Sequence, residues 1–244
     1  MTTLRDVRAE VSSSANPQKA KVLARFFKTG PGEYAQGDIF VGLMVPQIHK
    51  LSKQYAKLPI ADVIKLLHSP IHEERLIALD IMVLQFEKGD EELKHRIYTK
   101  YLDNTKYINN WDLIDLTSDK IIGAYLENKK KDVLVSLAKS KSIWQRRIAM
   151  LATFHYIKKG ESKDALKIAD ILVYDSHDLI RKAVGWMLRE IGKRCSIEEE
   201  EVFLKKYAAT MPRTMLRYAI ERFPETKKRL YMHMKSVREK NGGR

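Results

Sequence analysis

The feature that most restricts this chain is a short motif, cationic and then apolar, that returns along it at a nearly constant interval. Glu74-Arg75-Leu76-Ile77-Ala78-Leu79, Arg146-Arg147-Ile148-Ala149-Met150-Leu151, Arg181-Lys182-Ala183-Val184-Gly185-Trp186 and Leu216-Arg217-Tyr218-Ala219-Ile220-Glu221 superpose Arg75, Arg147, Lys182 and Arg217. These positions are separated by 72, 35 and 35 residues. Since 72 is twice 36, one further unit should register at position 111, which is Trp111. Helix pairs recurring at this interval cannot bury their apolar faces alone, but stacked side by side they make a continuous core and a long concave surface. The expectation is an all-α fold of HEAT-like helical repeats, stacked into a curved right-handed solenoid with a basic concave face. It would form a single domain over residues 1–244.

Apolar periodicity supports helices almost throughout, in segments separated by short polar breaks. The predicted helices cover 3–12, 17–28, 46–56, 60–68, 71–87, 91–101, 112–126, 130–138, 142–158, 162–173, 177–193, 197–209, 212–222 and 224–239. Residues 29–42 resist this reading. They hold four of the eleven glycines and are expected to form turns or a structured loop. The tail 240–244 should fray.

Charge narrows the partner class. Lys and Arg number 45 against 31 Asp and Glu, a formal balance of +14, which suits a polyanion, nucleic acid before a membrane surface. No stretch approaches the roughly 18–20 apolar residues needed to span a bilayer, and Met1-Thr2-Thr3-Leu4-Arg5-Asp6 lacks the apolar core of a signal peptide. A cytoplasmic, nucleoid-associated protein is expected. Cys195 is the only cysteine, so an internal disulfide and a cysteine-based metal site are excluded. The seven histidines form no HExxH or paired-ligand motif, and no metal or cofactor is expected. Gly30-Pro31-Gly32 lacks the context of a phosphate loop and reads as a turn.

Within the repeats, the position four after each cation reads Leu79, Asp115, Leu151, Trp186 and Glu221. Asp115 and Trp186 stand where neighbouring units carry leucine. Helical spacing of four also puts Trp111 and Asp115 on one face, an aromatic plate beside a carboxylate. Such a pair can meet something cationic. The bland readings are core packing for the tryptophans and a hydrogen bond to a neighbouring side chain for the aspartate. Asp112 and Asp119 read as ordinary acids, Asp112 suiting the first turn of its helix.

The row Arg75, Arg147, Lys182 and Arg217 would present charge at intervals near the distance between packed helices, about 10 Å, comparable to a few phosphates of duplex DNA. It is therefore a candidate phosphate track. The competing reading is solvated charges or ion pairs with Asp80, Glu190 or Glu221.

At these residues the chain resembles the AlkD-type DNA alkylation repair glycosylases, which are built from HEAT-like repeats. The resemblance covers most of the chain. It rests on Asn110-Trp111-Asp112-Leu113-Ile114-Asp115, Ser142-Ile143-Trp144-Gln145-Arg146-Arg147, Arg181-Lys182-Ala183-Val184-Gly185-Trp186-Met187-Leu188-Arg189-Glu190 and Met211-Pro212-Arg213, with Arg25-Phe26-Phe27-Lys28-Thr29-Gly30-Pro31-Gly32-Glu33-Tyr34 similar to a stretch in one branch of the family. What the resemblance implies is excision of cationic N3- or N7-alkylated purines from double-stranded DNA by hydrolysis of the N-glycosidic bond. It implies a catalytic role for Asp115, contacts of Trp111 and Trp186 with the lesion's deoxyribose, and a phosphate contact for Arg147. The family works without a deep base-flipping pocket, unlike glycosylases that draw the base into a snug cavity. Two other readings stay open: a non-catalytic protein that binds damaged or branched DNA, and a scaffold for acidic proteins. A monomer is expected, since an open solenoid with its own caps needs no partner.

Overall fold

In the computed structural model, residues 3–234 are described, and among them the regular structure is helical, with one isolated parallel bridge between Ile39 and Ile71. The chain divides into two compact units, Met1–Thr117 and Ser118–Arg244. Among the described residues no helix is long and apolar enough to cross a membrane.

The first unit holds α1 (Leu4–Ser13), α2 (Pro17–Phe26), α3 (Val45–Gln54), α4 (Ile60–Leu67), α5 (His72–Lys88), α6 (Glu91–Asp103) and α7 (Trp111–Asp115). Local sequence starts these helices where it should. Thr3 forms a capping box with Asp6, and Asn16 caps α2 ahead of Pro17, whose missing N–H costs nothing in a first turn. Val63, Leu66 and Leu67, spaced by three and four, bury one face of α4, which packs with α3 against α5. The centre of α5 is buried on all sides, from Leu76 to Leu79 and again at Ile81 and Met82.

The second unit holds α8 (Asp132–Ala138), α9 (Ile143–Ala152), α10 (Phe154–Ile157), α11 (Lys163–Leu172), α12 (Asp178–Arg194), α13 (Ile197–Tyr207), α14 (Arg213–Ala219) and α15 (Glu225–Met232). Its architecture is that of a helical repeat. The pairs α8/α9 and α11/α12 place their second helices side by side, α9 against α12, and α13 and α14 both pack on α12. Gly185 explains how closely α12 and α14 approach, since a Cβ there would collide with the Met215 carbonyl oxygen. The expected all-α helical-repeat fold is the one observed.

Three departures are informative. The predicted helix 112–126 is broken: α7 ends at Asp115, and Asp119–Gly123 follows as a π-helical turn. Buried Thr117 is the cause on the α7 side, because its Oγ1 donates to the Leu113 carbonyl at 2.5 Å while its own N–H shifts to Ile114. The predicted helix 142–158 breaks at Thr153, whose Oγ1 donates to the Met150 carbonyl at 2.6 Å. The last predicted helix, 224–239, is shorter, ending at Met232 with His233 as its cap, while residues 235–239 and the tail 240–244 lie outside the described residues.

Candidate nucleic-acid interface

Trp111 opens α7, and everything around it in the first unit is held tightly. Fully buried Asn110 caps the helix, its Oδ1 accepting the Trp111 N–H at 2.8 Å, while its Nδ2 donates to Asp38 at 3.2 Å. The indole stacks on Phe27, with centroids 5.1 Å apart, and meets exposed Phe26 edge-on at 6.0 Å. Phe27 stacks in turn on Phe40, and Phe40 on the His72 ring at 4.4 Å. Asp115 is half-buried at the last position of α7, four residues from Trp111.

Behind this aromatic stack lies a buried ionic cluster. His72 donates from Nε2 to Asp112 at 2.8 Å and from Nδ1 to Asp38 at 3.1 Å. Arg75 donates to the other Asp38 oxygen at 2.6 Å and to the carbonyls of Ser69 and Pro70. Burial disfavours charge on His72, but the Asp112 carboxylate and the hydrogen bonds to Asp112 and Asp38 outweigh it and push the pKa up to about 9. For Asp38, burial would raise the pKa, yet the His72 hydrogen bond and the Arg75 charge hold it below the usual carboxylate value. Glu73, also buried, accepts from the N–H groups of Val41, Gly42 and Leu43. The loop left open by the sequence is thus pinned to the head of α5 by three nearly consecutive side chains. Gly42 suits that loop, having φ +94° and an Asn16 carbonyl oxygen where a Cβ would have to fit.

In the second unit, Arg147 is buried and donates to the Leu179 carbonyl at 2.5 Å. Lys182 is half-buried and pairs with Asp178 one turn earlier at 2.7 Å. Trp186 is half-buried against Phe154, with centroids 5.9 Å apart. Arg217 is exposed on α14.

Counting from helix starts revises the repeat register. His72, Trp111, Ile143, Asp178 and Arg213 open α5, α7, α9, α12 and α14. The fourth position is then Arg75, Ile114, Arg146, Arg181 and Leu216. Its three arginines play the same structural part, since each reaches back to the carbonyl six residues earlier, at Ser69, Ser140 and Asp175. Arg75 therefore leaves the candidate phosphate row, because its guanidinium is neutralised by the Asp38 carboxylate and bound to two carbonyls. The fifth position reads Leu76, Asp115, Arg147, Lys182 and Arg217. Asp115 thus occupies the register of the cations rather than that of Leu79, and Trp186 lies four positions further on.

Sequence reasoning missed Asp38 and His72 and undervalued Asp112, which is a buried ion-pair partner and not merely a first-turn acid. One signal was present: His72-Glu73-Glu74-Arg75 are four consecutive polar residues directly ahead of the apolar run Leu76-Ile77-Ala78-Leu79, and all four are buried. Among the described residues no three His, Cys, Asp or Glu side chains are grouped so as to hold a metal ion.

The profile of DNA alkylation repair enzymes matches residues 7–223, nearly the whole chain. The chain belongs to the DNA alkylation repair enzyme family. A solved structure described as a predicted DNA alkylation repair enzyme from Enterococcus faecalis is similar in fold, with a TM-score of 0.66 at 18% identity, covering 86% of this chain and 97% of that one. No curated protein matches the chain. Membership in the DNA alkylation repair enzyme family gives the chain a DNA repair role, and the matched span includes α5, α7, α9, α12 and α14 with the residues described above.

Proposed function

We propose that the protein is a DNA glycosylase that excises cationic N3- or N7-alkylated purines from duplex DNA, without drawing the base into a deep pocket. The observation that carries this reading is Asp115, half-buried at the end of a five-residue helix whose first residue is the stacked Trp111, inside the span matched by the family. A cationic purine is already a good leaving group, so the barrier lies in the positive charge that develops on the sugar as the C1′–N bond stretches. Asp115 would stabilise that charge and orient or deprotonate the attacking water. Indole faces favour the same positive sugar by about 0.5–2 kcal/mol each, the role assigned to Trp111 and Trp186. Arg147, Lys182 and Arg217 would meet backbone phosphates and contribute sequence-independent affinity. The protein would act as a monomer on nucleoid DNA in the cytoplasm.

The test is release of free base from duplex DNA carrying 7-methylguanine or 3-methyladenine, measured beside an Asp115→Asn variant. Wild type should release base, and the variant should be slower by roughly 10²–10³-fold, the size of effect seen when one preorganised charge-stabilising group is removed. Equal rates for the two proteins would remove the foundation of the glycosylase reading. An uncharged lesion such as uracil should be a poor substrate for both.

A further inference from the structure

We propose that His72 is a positioning residue for the Trp111–Asp115 helix, acting as a buried cation clamped between Asp38 and Asp112 and stacked on the aromatic wall that carries the indole. The proposal deepens the glycosylase reading and rests on it for its catalytic consequence. Two independent routes lead from the imidazole to the site. Through hydrogen bonds, Nε2 reaches Asp112, the residue next to Trp111 and three before Asp115. Through packing, the His72 ring stacks on Phe40, Phe40 on Phe27, and Phe27 on Trp111, with centroid separations of 4.4, 5.0 and 5.1 Å.

The charge arithmetic explains why a histidine stands there. Asp112 is buried, and its Oδ1 has no hydrogen-bond partner among the described residues, so His72 carries the compensation for that carboxylate. An isolated buried carboxylate is costly, and without His72 the first turn of α7 would have to shift to bring Asp112 to water. Trp111 would move with it. The groups facing the imidazole are Asp38 from the loop after α2, Asp112 from α7 and, beyond Asp38, Arg75 of its own helix, with Asn110 donating to Asp38. Arg75 already offsets one charge of Asp38, and an imidazolium supplies the second positive charge that two carboxylates require. A neutral imidazole could donate to only one of them.

The experiment has two readouts that fail separately. In a Trp144→Phe/Trp186→Phe background Trp111 is the single indole, and its emission and acrylamide quenching are followed across the pH range around the pushed-up His72 value of about 9. The signal should titrate near that value, the titration should vanish in His72→Gln, and quenching should rise. In the protein with all its tryptophans, His72→Gln should lower single-turnover excision roughly 10- to 100-fold, the cost of misplacing a reacting group, while duplex Kd stays within about twofold. If His72→Gln does not fold, Asp112→Asn breaks the same bridge from α7, and the indole titration should then move below 9, which a purely structural role for His72 does not produce. An indole signal indifferent to both variants overturns the proposal, as does normal excision by a variant in an active wild-type background. If wild type releases no base, the glycosylase reading fails, and the indole titration alone upholds or overturns the positioning role.

Discussion

The heads of α5 and α9 begin alike and end differently. Both carry arginine at the fourth position, reaching back to carbonyls of the preceding loop and pairing with an aspartate at 2.6 Å, Arg75 with Asp38 and Arg146 with Asp175. At α5 the pair is sealed, with side-chain exposures of 4% and 6%, and it extends through His72 to Asp112. At α9 the arginine is 15% exposed, and the next residue, Arg147, belongs to a row continued by Lys182 and Arg217. The same scaffold therefore serves two ends. In the first unit its polar groups are turned inward, fixing the helix that presents Trp111 and Asp115. In the second unit the fifth position is cationic, the arrangement wanted for holding an anionic ligand.

The largest effect should separate the two arginines by stability. Arg75→Ala leaves Asp38 with less compensation in a buried site and should cost about 3–5 kcal/mol. Arg146→Ala, at a wetter pair, should cost about 1–3 kcal/mol, the range for losing hydrogen bonds to a charged group. Urea denaturation of the two variants decides, and equal losses would break the distinction between a sealed and an open head. Next in size is Trp186→Ala, for which removal of an indole proposed to face the sugar should slow excision by the equivalent of about 0.5–2 kcal/mol with less change in non-specific affinity. An unchanged single-turnover rate would return Trp186 to packing against Phe154.

The fold was legible because the 3.6-residue periodicity of α3, α4, α11 and α12 is strong and Thr3, Asn16, Ser142 and Ser196 mark helix starts. The register was not. Aligning on adjacent cations confuses Arg146 with Arg147, because helix starts are spaced 39, 32, 35 and 35 residues apart from His72 to Arg213, not uniformly. Only the reach back over six residues separates the structural arginines from the cationic row. Likewise the break after Asp115 depends on Thr117 bonding to Leu113 and to Tyr101, a tertiary contact no local pattern announces. Asp115 and Trp111 could be picked out from sequence since a carboxylate and an indole one turn apart are unusual on such a helix. The polar run at 72–75 marks His72, but its pairing with Asp38 and Asp112 could not be read, because these are 34 and 40 residues away and meet it only in the folded unit.

A subtler difference between the units should emerge with pH. The folded pKa of His72 is raised to about 9 from an ordinary value of 6.5, so its contribution to stability is complete below the ordinary value and is lost as pH rises through the folded one. The urea midpoint of wild type should therefore fall from neutral pH to above 9 by more than that of His72→Gln. Parallel curves for the two proteins would mean that the cluster behind Trp111 does not hold a charged imidazole.

The smallest effect is the one most specific to the second unit. Arg217 is exposed on α14, so Arg217→Ala should change stability by no more than about 0.5 kcal/mol, unlike any substitution in the sealed cluster. Its consequence should instead appear in the salt dependence of DNA binding. Each phosphate neutralised releases condensed counterions, and removing one contact should reduce the slope of log K against log salt by about one, equally for lesioned and intact duplex. The measurement is a salt titration of duplex affinity for wild type and variant. A preserved slope with weakened binding to the lesion alone would move Arg217 from the phosphate row to the chemistry, and the division of labour between the two units would have to be redrawn around it.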